Sequence, residues 1–61
     1  MNKIQELRLK KGMNQTEFAR LLEIDRIHLY RLEKGINKPG NKVLEKIKEK
    51  FPEIDLNIFF K

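Results

Sequence analysis

The chain has no cysteine and no tryptophan, and among its 61 residues there are one histidine, one tyrosine, two prolines and three glycines. Without cysteine there is neither a disulfide staple nor a thiolate zinc cluster. One histidine cannot supply a nucleophile–base pair or a metal-ligand spacing. No glycine-rich loop is present to cradle a phosphate group, and so short a chain has no pocket-sized core in which to perturb a carboxylate. An enzyme is therefore not expected, nor a metal, a cofactor or a small-molecule ligand. No stretch approaches the roughly 20 apolar residues needed to cross a bilayer. The N-terminal MNKIQELRLKK has no apolar stretch behind its first lysine, unlike a secretory signal. The expectation is a soluble, cytoplasmic protein without membrane contact. Period-2 alternation, internal repeats and low-complexity tracts are absent as well, which removes strands and solenoids.

What is present is charge and helical spacing. Fourteen Lys and Arg against nine Asp and Glu give a net charge of +5 and a pI near 9.8. Such a balance suits a polyanionic partner, although many basic domains are basic only for solubility. The length bounds the chain to a single domain, residues 1–61. A domain of this size buries only about 60% of its unfolded surface, so its stability is marginal and must come from economical packing of Leu, Ile and Phe.

Taken in order, residues 2–11 read as a first helix, with Ile4, Leu7 and the stem of Lys11 on one stripe and Arg8 beside it. Gly12 ends it. Asn14 and Glu17 have the spacing of a capping box, and Met13 with Phe18 that of a hydrophobic staple, so a second helix opens at Asn14 and stops near Leu22. Asp25 caps a third helix, with Ile24 and Leu29 as its staple and Gly35 as its stop. At about 100° per residue, Leu29 and Leu32 define its inner side, while Ile27, Tyr30, Arg31 and Lys34 fall outside, with Arg26 in the first turn. Single exposed apolar residues are ordinary. An isoleucine and a tyrosine sharing an outer face with two arginines are what favour a binding role. Residues 36–40 form a loop. A fourth helix follows from Asn41 to Phe51 with Val43, Leu44, Ile47 and Phe51 inward. Pro52 ends it, and Asp55 caps a last short helix with Ile54 and Phe59 as its staple. The whole reads as an all-α compact bundle of about five short helices.

Residues 3–51 resemble the phage repressor and Cro-like helix-turn-helix domains, the XRE family. The resemblance rests on Gln15 opening helix two, Ala19 in its middle, and apolar Phe18, Leu22, Ile24, Leu29 and Leu32. It continues through Glu33-Lys34-Gly35 and the Asn37-Lys38-Pro39 loop, and the closing Phe51 to Asn57 is similar to the family's last helix. A small residue at position 19 has a physical reason, because overpacking a close helix crossing costs about 1–3 kcal/mol. One departure stands out: the family commonly has Gly where this chain has Glu23, at the start of the turn. If that turn needs positive φ, Glu23 is strained there, and Glu23→Gly should raise the melting temperature.

The resemblance implies a lambda-repressor-like fold that reads double-stranded DNA by setting its third helix, residues 26–34, into the major groove. By position, Arg26, Ile27, Tyr30 and Arg31 are the candidates for base edges, since arginine bonds both guanine acceptors and isoleucine packs on a thymine methyl. His28, at the flank, is a weaker candidate. Gln15, Lys34, Asn37 and Lys38 are the candidates for phosphates, helped by the N-terminus of helix two. The resemblance also suggests that Arg8 and Glu33 meet in a partly buried ion pair. The lysines of helix four, interleaved with glutamates, read as a solvated face.

Ile58, Phe59 and Phe60 leave an apolar surplus that a short helix cannot bury, and relatives of this fold use such a surface for a homodimer. Two-fold symmetry then implies a palindromic operator with half-sites about 34 Å apart. The expected role is a small transcriptional regulator, a repressor of phage or mobile-element type, with occupancy set by its own concentration. The competing reading is a protein-interaction module such as an antitoxin, with the apolar tail on a protein partner. Salt-dependent duplex binding separates the two. Recognition of RNA would want an aromatic stacking platform, and none is evident.

Overall fold

The structure, a computed structural model, describes residues 2–60. Four α-helices follow one another: α1 (Lys3–Lys10), α2 (Gln15–Leu22), α3 (Arg26–Glu33) and α4 (Asn41–Lys50). A 3₁₀ helix, Leu56–Phe60, closes the described chain. The architecture is all-helical, and no strand occurs among the described residues.

The first three helices begin alike. The side chains of Asn2, Asn14 and Asp25 accept from the backbone N–H groups of Gln5, Glu17 and His28, each satisfying a donor that the first helical turn leaves unpaired. At α2 the Glu17 carboxylate returns to the Asn14 N–H at 3.0 Å, completing the capping box. Asn2 and Lys11 are thus caps rather than members of α1. Asn2 also donates through Nδ2 to the Leu32 carbonyl, joining the start of α1 to the end of α3.

The ends of α1, α2 and α3 are alike too. Gly12, Glu23 and Gly35 all have left-handed backbones, with φ of 70°, 59° and 76°. After each, the next residue's N–H reaches back five positions, Met13 to Arg8, Ile24 to Ala19 and Ile36 to Arg31. This is the Schellman pattern. Position 23 therefore does take the positive φ at which a non-glycine residue is strained.

Two expectations need correction. The last element is not an α-helix but five residues of 3₁₀ helix. Asp55 holds the Asn57 N–H at 3.0 Å on its side chain, and its carbonyl takes the Ile58 N–H at 3.2 Å. Five residues are too few to repay α-helix nucleation, so the tighter turn wins. The stripe of α1 differs as well: Arg8, not Lys11, is buried beside Ile4 and Leu7. The Lys11 ammonium instead stands 4.9 Å from the centre of the Phe51 ring and 2.7 Å from Glu53.

The core gathers Ile4, Leu7, Phe18, Ala19, Leu22, Leu29, Leu32, Val43 and Ile47, with Met13, Ile24, Phe51, Ile54 and Phe59 half-buried around it. Phe18 is fully buried and its ring stacks on Phe51 at 6.3 Å. Among the described residues no helix is long and apolar enough to cross a membrane.

Candidate nucleic-acid interface

The candidate interface is built on α3. Its inner side is sealed, with Leu29 and Leu32 at 0% and 1% exposure, whereas Ile27 and Tyr30 on the outer side are 69% and 48% exposed. Arg26 and Arg31 are exposed with them. An apolar side chain beside a guanidinium on a convex helix offers van der Waals contact and directed N–H donors together, the two means by which a groove floor is read. Lys34 is exposed, and its ammonium lies 5.6 Å from the centre of the Tyr30 ring.

The residues after α3 are held against it. The N–H groups of Ile36 and Asn37 both donate to the Arg31 carbonyl, at 3.0 and 3.3 Å. This hold fixes half-buried Asn37 and exposed Lys38 beside the end of the helix. His28 is half-buried and lines a shallow cleft with Asp25, Ile27, Arg31 and Asn37.

Gln15 stands at the first position of α2, half-buried, with its Nε2 donating to Glu33 Oε1 at 3.2 Å. Beneath it lies the pair of Arg8 and Glu33. Arg8 Nε donates to Glu33 Oε2 at 2.7 Å and Nη2 to Oε1 at 3.2 Å. Its Nη1 donates to the Met13 carbonyl at 3.1 Å. The two side chains are 11% and 2% exposed. A buried carboxylate needs such a partner, because an isolated charge out of water is far too costly. The Gln15–Glu33 bond was not foreseen. The two residues lie far apart in sequence and meet only because α2 and α3 cross, so no local spacing announces them.

The tail residues part company. Ile58 and Phe59 are half-buried and line a cleft with Ile4, Leu32 and Pro39, while Phe60 is 69% exposed.

On α4, Lys42, Lys48 and Lys50 are exposed and Lys46 is half-buried. Lys46 reaches Glu23 at 2.6 Å, which ties the turn of the helix pair to α4. The hydrogen bond from Lys46, and then its charge, hold the Glu23 carboxyl below its ordinary value. The same bond raises Lys46. Glu53 is likewise lowered, first by its hydrogen bond from Lys11. An open cleft of about 1050 Å³ runs along this side, with Ile24, Ile36, Val43 and Lys46 in its lining. Among the described residues no group of three His, Cys, Asp or Glu is placed to hold a metal ion.

Comparison with known families gives one match: a family model described as Helix-turn-helix covers residues 4–59. No curated protein and no solved structure matches significantly. The chain belongs to the helix-turn-helix family, in its Cro/repressor-like XRE form, a family of DNA-binding domains.

Proposed function

We propose that this helix-turn-helix domain is a sequence-specific reader of double-stranded DNA that lays α3 in the major groove and acts as a small transcriptional repressor of phage or mobile-element type. The observation that carries the reading is the outer face of α3. Ile27 and Tyr30 stand exposed beside Arg26 and Arg31, on a helix whose other side is closed. Arg26 and Arg31 take guanine O6 and N7, Ile27 packs on a thymine methyl, and Tyr30 takes a neighbouring base edge. Gln15, Lys34, Asn37 and Lys38 hold phosphates and so fix the register without reading sequence. The width of the groove, about 12 Å, matches one helix.

A homodimer on a palindromic operator completes the reading. Phe60, exposed at 69%, supports a contact between two copies through the tail of Ile58, Phe59 and Phe60. The same exposure favours the second reading, a tail that grips a protein partner in the manner of an antitoxin.

Selection of bound duplexes from a random pool, repeated with Arg31→Ala, tests the proposal. The expected result is an enriched inverted repeat that loses information at one defined position in each half-site of the variant. Weak, salt-sensitive binding without enrichment would sink the sequence-reading role and leave the partner-binding tail as the better account.

A further inference from the structure

Glu33 is 2% exposed in its side chain, and both of its oxygens are occupied. Burial of such a pair is weak evidence for stability, since well-packed apolar residues of similar volume often serve as well or better. Its presence therefore invites another account, and the third partner supplies one. An ionised carboxylate only accepts hydrogen bonds, whereas a glutamine amide has a donating and an accepting end. Glu33 Oε1, 3.2 Å from Gln15 Nε2, thus repels the amide oxygen and admits only the nitrogen. One N–H of that nitrogen is taken, and the other is left at the first position of α2, where the unpaired backbone N–H groups also face outward. Arg8 matters here too, because it neutralises a carboxylate that would otherwise repel an approaching phosphate.

We propose that Glu33 is a positioning residue for DNA: it holds the Gln15 amide in the one orientation that presents an N–H to a phosphate at the start of α2. This rests on the reading of the domain as a duplex binder. A flexible glutamine would have to be ordered on binding and would present its oxygen part of the time. A held one incurs neither loss.

The decisive variant replaces the pair by apolar side chains, Arg8→Met together with Glu33→Leu. Its helical circular dichroism and melting temperature should match or exceed those of the parent, while its affinity for the selected duplex falls by about tenfold, the scale of one hydrogen bond to a charged group. Gln15→Ala should lose about tenfold in the parent but less than about twofold in the apolar-pair background, the non-additivity expected of residues acting through one contact. The dependence of affinity on salt should keep its slope, because no phosphate-neutralising cation has been removed.

Unchanged affinity in the apolar-pair variant overturns the proposal, and so does a fully additive loss. A slope lowered by about one counterion overturns it as well, since Arg8 would then be touching phosphate directly. A measurement on the unaltered chain covers the case in which the variant does not fold. The Gln15 side-chain amide should be as ordered as the backbone by ¹⁵N relaxation before DNA is added, and one of its two protons should shift on binding. An amide as mobile as an exposed side chain overturns the positioning role even when duplex binding is intact. Absence of binding to any duplex removes the functional reading itself.

Discussion

α2 and α3 are both eight residues long, both start on an Asn or Asp that accepts from the third helical N–H, and both stop on a left-handed residue. Their surfaces differ. Around the buried Phe18, Ala19 and Leu22, α2 exposes Thr16, Glu17 and Arg20, whereas α3 exposes Ile27 and Tyr30 among its arginines. Caps and stops decide where a helix forms, and only the outer residues decide what it is for. A single exposed apolar residue, such as Leu9 on α1, is ordinary; two of them grouped with two arginines on one outer face are not. α3 groups Ile27 and Tyr30 with Arg26 and Arg31 in this way.

The contrast can be broken most forcefully from the inside of α2. Phe18→Ala removes a fully buried ring and should cost about 3–5 kcal/mol, enough to leave so small a domain largely unfolded by circular dichroism at 25 °C. Tyr30→Ala on α3 should leave the urea midpoint almost unchanged. Comparable destabilisation by the two would erase the distinction between a packing and a presenting helix.

Next in size is Arg31→Ala, expected to weaken binding to the selected duplex by about 1–3 kcal/mol and to flatten discrimination at one base pair, with no change in melting temperature. An equal loss on every duplex would make Arg31 a phosphate contact.

The stops sharpen the comparison further. Glu23→Gly gives α2 the terminator that α1 and α3 already have, and should raise the melting temperature by about 4–8 °C, more than the exposed contact to Lys46 contributes. A neutral or lowered value would show that the glutamate sits there without strain.

The smallest effect is one of pH. Glu23 is held below its ordinary 4.5 by Lys46, so its contribution is complete above that pH and fades as pH falls through the lowered value. Lys46 is raised above 10.5, and its share is lost as pH rises past the raised value. The melting-temperature difference between the parent and Lys46→Met should be level between these limits and close in acid. A difference indifferent to acid would mean that the contact is not ionic.

Most of the fold is written locally. Asn14 with Glu17, Asp25 before Arg26, and the spacings Ile24–Leu29 and Phe18–Leu22 each announce a start or an inward side within a few residues. What the sequence conceals is what depends on helices meeting. The i, i+3, i+7 spacing of α1 leads to Lys11, yet Arg8 is the residue enclosed, because Glu33 on another helix waits to satisfy it. Gln15 reads as an open helix start, yet its amide is engaged across the crossing. The 3₁₀ form of the tail also escapes, since Asp55 caps either kind of helix and only the shortness of the segment decides.

α3 lies between two neighbours, packed on α2 along one side and on α1 along another, with Asn2 fastened to its last turn. A helix held from two sides should resist local opening. Its amide protons should exchange with solvent more slowly than those at the start of α4, where Gly40 offers no side-chain cap. On the proposed reading, the face offered to the groove is thus carried by an element held from two sides, ordered before its target arrives.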